Sequence, residues 1–120
     1  MPSTSIHHVQ IAIPAGREAA ARAFYGELLG LAEVMKPANL QRRGGVWFRT
    51  ANIQLHLGVD PSFHPAEKAH VAFQVAGLAS VRQRLAAAGH RADEDEPLPG
   101  YQRCYVHDPF GNRIELLQSV

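Results

Sequence analysis

Apolar residues alternate with polar or small ones through His8-Val9-Gln10-Ile11-Ala12-Ile13, and the same order returns in His70-Val71-Ala72-Phe73-Gln74-Val75. A period of two predicts a strand with one buried face in each place. Helical spacing follows both. Residues 17–29 set Ala21, Phe24, Tyr25 and Leu28 on one face before Gly30, and residues 78–88 do the same with Leu78, Val81 and Leu85 before Gly89. Strand-like runs close each half: Val46-Trp47-Phe48-Arg49 and Ile53-Gln54-Leu55-His56-Leu57, then Gln102-Arg103-Cys104-Tyr105-Val106 and Arg113-Ile114-Glu115-Leu116-Leu117. Between the last two, Asp108-Pro109-Phe110-Gly111-Asn112 reads as a turn, because Pro presets φ and Gly accepts a positive one. The chain thus predicts two βαβββ copies, module 1 over about residues 6–59 and module 2 over about 69–118. Their seam runs from Asp60 to Lys68 and carries Pro61 and Pro65.

The strand faces carry candidate chemistry. Val9, Ile11 and Ile13 oppose His8, Gln10 and Ala12, while Ile53, Leu55 and Leu57 oppose Gln54 and His56. In the second copy Val71, Phe73 and Val75 oppose His70, and Ile114 and Leu116 oppose Glu115. The apolar faces are free to pack under the helices, which leaves His8, His56, His70 and Glu115 on the other side. These four obey the repeat: His8 matches His70, and His56 matches Glu115, at separations of 48 and 45 residues. If the copies pair about a pseudo-twofold axis, the four converge at its centre. Three imidazoles and a carboxylate suit a borderline divalent ion such as Zn, Fe, Mn, Ni or Co, with positions left open for water or substrate.

Composition narrows the classes. A length of 120 residues with 46% hydrophobic content fits one domain with its own core. A single Cys excludes an intramolecular disulfide scaffold, and Cys104 reads as a small buried hydrophobe. The net charge of +1 lacks the basic excess of a nucleic-acid binder. No apolar run approaches the roughly 20 residues that span a bilayer. Met1-Pro2-Ser3-Thr4-Ser5 has no basic n-region or apolar h-region, so no signal peptide is expected. A cytoplasmic protein without membrane or nucleic-acid partners is expected.

With these residues in view, the chain resembles the vicinal oxygen chelate superfamily of glyoxalase I, bleomycin-resistance proteins, fosfomycin-resistance transferases and extradiol dioxygenases. The resemblance rests on His8-Val9, Phe24-Tyr25 through Leu28-Leu29-Gly30, Ala69-His70-Val71-Ala72-Phe73, and Asp108-Pro109-Phe110-Gly111-Asn112-Arg113-Ile114-Glu115-Leu116. It implies an α+β fold in which paired βαβββ modules form a cupped mixed sheet with helices on its outer face. It also implies a homodimer, modules paired within or between chains, and a small-molecule substrate that chelates the metal by two neighbouring oxygens. His8, His70 and Glu115 match the family's ligands. His56 matches a fourth position, where glyoxalase I usually has a carboxylate, and would serve as ligand or general base. Ala12-Ile13-Pro14 stands where the glyoxalase pattern has a basic residue for glutathione. The implied function is a metal-dependent lyase or isomerase with Glu115 and His56 as catalytic groups. Sequestration of an antibiotic or metabolite without chemistry is one alternative, and extradiol ring cleavage is another.

Trp47, Phe48, Tyr101, Arg103 and Tyr105 are expected around the substrate, with Arg103 toward an anionic group and Arg49 as a weaker candidate for that group. By parity His7 is expected at the core edge, and His64 and His90 in solvent. Arg42-Arg43-Gly44-Gly45 reads as an exposed turn that suits a mobile loop, and Asp93-Glu94-Asp95-Glu96 as a solvated loop.

Overall fold

The computed structural model describes residues 3–120, so Met1 and Pro2 of the stretch read for a signal peptide lie outside the described residues. The chain falls into two compact units, Met1–His64 and Pro65–Val120. Together they form a mixed α+β protein with two mixed sheets.

In the first unit, strand β1 (Val9–Ile13) precedes helix α1 (Glu18–Ala21), which continues without a break into a π-helical segment, Arg22–Leu28. Strands β2 (Glu33–Val34), β3 (Val46–Thr50) and β4 (Ile53–Val59) follow, with a 3₁₀ segment, Ala38–Arg43, between β2 and β3. The sheet order is β1-β4-β3-β2. β1 lies parallel to β4, which needs the intervening helix as a crossover, and the other pairs are antiparallel. The predicted apolar faces form the core: Ile13, Val46, Phe48, Leu55 and Leu57 are buried with Phe24 and Tyr25 from the helix.

The expected helix over 17–29 is regular for only its first turn. Leu29 N–H donates to the Phe24 carbonyl five residues back, at 3.0 Å. Consecutive side chains diverge less in this wider turn, and Phe24 and Tyr25 are both fully buried, their rings 4.9 Å apart. Gly26 faces Phe48, where a Cβ would sit 3.5 Å from its ring. Gly30 closes the segment at φ +80°, as the sequence predicts.

The second unit comprises β5 (Val71–Gln74), α2 (Leu78–Ala87), β6 (Tyr101–His107) and β7 (Arg113–Ser119), in sheet order β5-β7-β6. α2 buries Leu78, Val81 and Leu85 and packs on β7. Gln118 of β7 caps the helix, its side-chain oxygen accepting the Leu78 N–H at 2.7 Å. The Asp108–Asn112 turn forms as predicted. The Asp108 carboxylate accepts from the N–H groups of Phe110 and Asn112 and from the Asn112 side chain, at 2.8–2.9 Å.

One expected strand is reduced to a single bridge in this copy, between Asp93 and Tyr105. The acidic run Asp93-Glu94-Asp95-Glu96 ends at Pro97, and four like charges before a residue without an N–H cannot sustain an edge ladder.

Candidate functional site

The four residues singled out by the repeat lie as two pairs, each within its own unit. In the first unit, Gln10, His56 and Trp47 stand side by side across β1, β4 and β3. His56 is buried between two rings. Trp47 stacks on one side at 3.7 Å with the planes 1° apart, and His8 on the other at 4.1 Å and 19°. Burial, and then the positive charges of His8, His7 and Lys36, push the His56 pKa below its ordinary value. Burial thus favours the neutral form of this stacked imidazole.

His7 does not reach the core edge. β1 begins only at Val9, so its parity does not extend back to residue 7, and His7 is exposed with Nδ1 at 2.9 Å from His8 Nδ1. His90, expected in solvent, is half-buried beyond the end of α2.

In the second unit Ala72, Glu115 and Tyr105 share a row across β5, β7 and β6. Glu115 is buried, and three side chains reach its carboxylate. Its Oε1 takes His70 Nε2 at 2.8 Å and the Tyr105 hydroxyl at 3.0 Å, and its Oε2 takes Arg103 at 3.3 Å. Burial pushes this carboxyl up, but hydrogen bonds from His70, Tyr105 and Arg103 outweigh it and hold the pKa below the usual carboxylate range. Tyr105 shifts the other way, raised first by burial and then by its bond to Glu115, so it stays a donor. The Arg113 guanidinium lies 3.8 Å from the centre of the Tyr105 ring.

His70 presents both ring nitrogens to acceptors. Nδ1 lies 2.9 Å from the Lys68 carbonyl, which only accepts, so that nitrogen carries a proton. Nε2 and Glu115 Oε1 then face each other with lone pairs unless one proton or one cation lies between them. Imidazole nitrogen and carboxylate oxygen side by side, with the far nitrogen held by a carbonyl, are the donor chemistry a borderline divalent ion takes. Among the described residues no three His, Cys, Asp or Glu side chains come together in a way that could hold a metal.

Of the expected pocket residues, Arg103 and Tyr105 touch Glu115, and Trp47 touches His56. Tyr101 shares their strand but is an exposed residue opposite Ser119. Cys104 is buried and free, its thiol pushed up by burial. Arg113 and the Lys68 carbonyl were not foreseen. A signal for Arg113 existed, because a hairpin centred on Asp108–Asn112 sets residues 105 and 115 opposite each other and 113 one step away.

These two units define an α+β protein with a histidine pair beside one sheet and a histidine–carboxylate pair beside the other. A sequence model of the Glyoxalase/Bleomycin resistance protein/Dioxygenase superfamily matches residues 5–116, and the chain belongs to that superfamily. Among solved structures it is similar to a glyoxalase family protein from Bacillus anthracis, with 44% identity and a TM-score of 0.92 over 100% of this chain and 98% of that one. The fosfomycin resistance protein FosX from Listeria monocytogenes shares the fold at 16% identity and a TM-score of 0.76, over 98% and 94% of the two chains. Lactoylglutathione lyase from Agrobacterium tumefaciens does so at 24% and 0.66, over 98% and 94%. No curated protein sequence matches the chain. No helix among the described residues is long and apolar enough to cross a membrane.

Proposed function

We propose that the chain is a metal-dependent enzyme of the lyase or isomerase type, acting on a small substrate that presents two neighbouring oxygens. The observation that carries this reading is the buried Glu115 carboxylate, its pKa held below the usual range, with His70 Nε2 2.8 Å from its Oε1. His8, His70 and Glu115 would hold a divalent ion such as Zn, Fe, Mn, Ni or Co, with His56 as fourth ligand or as base. When bound, such an ion supplies a Lewis acid that stabilises negative charge on a substrate oxygen. His56, its pKa lowered by burial, keeps a lone pair for a substrate proton at neutral pH. Arg103 and Tyr105 keep Glu115 charged and oriented. Trp47 and Tyr101 belong to the substrate surroundings in this reading, and a cytoplasmic homodimer completes it.

The test is metal content by elemental analysis, in wild type beside His8→Ala and Glu115→Ala, joined to turnover of α-keto aldehyde adducts with and without a chelator. About one equivalent of a transition metal, lost in both variants, with turnover abolished by the chelator, is expected. Wild type that holds no metal after reconstitution overturns the reading and leaves ligand sequestration. Oxygen consumption with a catechol would replace lyase chemistry by ring cleavage.

A further inference from the structure

The first unit holds a second feature on the face that carries His56. A hollow of about 230 Å³ opens between β1, β3, β4 and the segment before β3. Its floor is flat because Gly58 has no side chain: a Cβ there would lie 2.6 Å from Gln10 Nε2, so the Gln10 amide extends across that glycine. Trp47 forms one wall and Lys36 and Arg43 the rim, and no acidic residue lines it.

The rim is held in place. Lys36 Nζ donates to the Gly44 carbonyl, and Gly45 N–H donates to Glu18 at 2.9 Å. Gly45 has φ +87° and backs directly onto the Leu57 carbonyl, where any Cβ would collide. The Arg42–Gly45 stretch, expected as an exposed turn suited to a mobile loop, is therefore tied at three points. Glu18 offsets part of the Lys36 charge from outside the hollow, whereas the Arg43 guanidinium makes no hydrogen bond or ion pair among the described residues.

Two cations, a primary amide and an indole around a space of about 230 Å³ select a small oxyanion. We propose that this hollow binds the anionic end of the substrate, a carboxylate, phosphonate or phosphate, with Lys36, Arg43 and Gln10 as its donors. Trp47 belongs both to the hollow and to the stack with His56 and His8, so an anion held there sets the rest of the molecule beside those histidines. The inference rests on the proposed function only for which end of the substrate reacts. Anion binding itself needs no metal.

Trp47 is the only tryptophan, so its fluorescence reads the hollow directly. The full-length protein is titrated with methylphosphonate, inorganic phosphate and glycolate, with and without chelator, and each titration is repeated by calorimetry. At least one anion is expected to saturate in the millimolar range, with or without chelator, and the one that does so names the class. Arg43→Gln and Lys36→Gln should each weaken that binding about tenfold or more, the scale of one charged hydrogen bond. Arg43→Lys should retain it within a few-fold, and the exposed Arg91→Gln should leave it unchanged. Absence of saturation by both methods overturns the proposal, as does binding that survives both glutamine variants. Anion binding that persists while chelator spares turnover overturns the proposed function and leaves this site standing.

Discussion

The Tyr105 hydroxyl donates to the buried Glu115 carboxylate, and its loss leaves that oxygen facing His70 alone. Tyr105→Phe should therefore destabilise the fold by about 1–2 kcal/mol in denaturant unfolding. It should also weaken metal affinity by about 10–100-fold, the usual effect of removing a ligand's supporting bond. Glu18 carries a different signature. Its pKa is lowered mainly by the Gly45 N–H, so its contribution to stability is full above the ordinary carboxylate value of 4.5 and fades as pH falls through the lower folded value. Wild type should lose more stability than Glu18→Gln between about pH 6 and about pH 3, and the two unfolding curves should converge at the acid end. At this scale the sequence was legible where parity acts. It named His56 and Glu115 because alternation along β4 and β7 sets them opposite apolar neighbours. It could not reveal that His56 would be sandwiched, because register between β3, β4 and β1 decides which ring meets which.

Among the elements, the hairpin joining β3 and β4 contains the only described non-glycine residue with positive φ, Ala51 at +51°. An L-residue there bears a steric penalty that glycine lacks. Ala51→Gly should stabilise the protein by about 0.5–1 kcal/mol, read as a rise of a few degrees in Tm. Asp108→Ala should act in the opposite sense by about 2–3 kcal/mol, since it removes the carboxylate that accepts three hydrogen bonds within the turn. Both helices were legible from their apolar spacing and terminal glycines. The π-helical turn was not, because the spacing of Ala21, Phe24, Tyr25 and Leu28 fits an ordinary helix equally well. The acidic run Asp93-Glu94-Asp95-Glu96 was legible as a loop from its charges and Pro97, and only the single bridge at Asp93 was not.

At the scale of the whole molecule, residues 64–70 form an exposed run where the first unit ends and the second begins, with Lys68 as its only trypsin site. Limited trypsin digestion should nick the chain first after Lys68, giving fragments 1–68 and 69–120 by mass spectrometry, because exposed backbone is cut without global unfolding. The duplication was the most legible feature of all, since strand, helix and glycine recur in the same order in both halves. Which small molecule the protein takes has no comparable signature, since loop residues such as Lys36 and Arg43 gain meaning only once the fold gathers them.

The short Asp108–Asn112 turn also bears on how the second unit forms. β6 and β7 pair across only this turn, so Tyr105 and Arg103 meet Glu115 after a loop closure of about ten residues, which takes tens of nanoseconds in an unfolded chain. His70 lies 45 residues from Glu115 and must wait for the parallel pairing of β5 with β7. Sequence separation predicts that the carboxylate meets its hydroxyl and guanidinium partners before its imidazole. Substitutions in the turn should slow folding, whereas those at His70 should mainly speed unfolding.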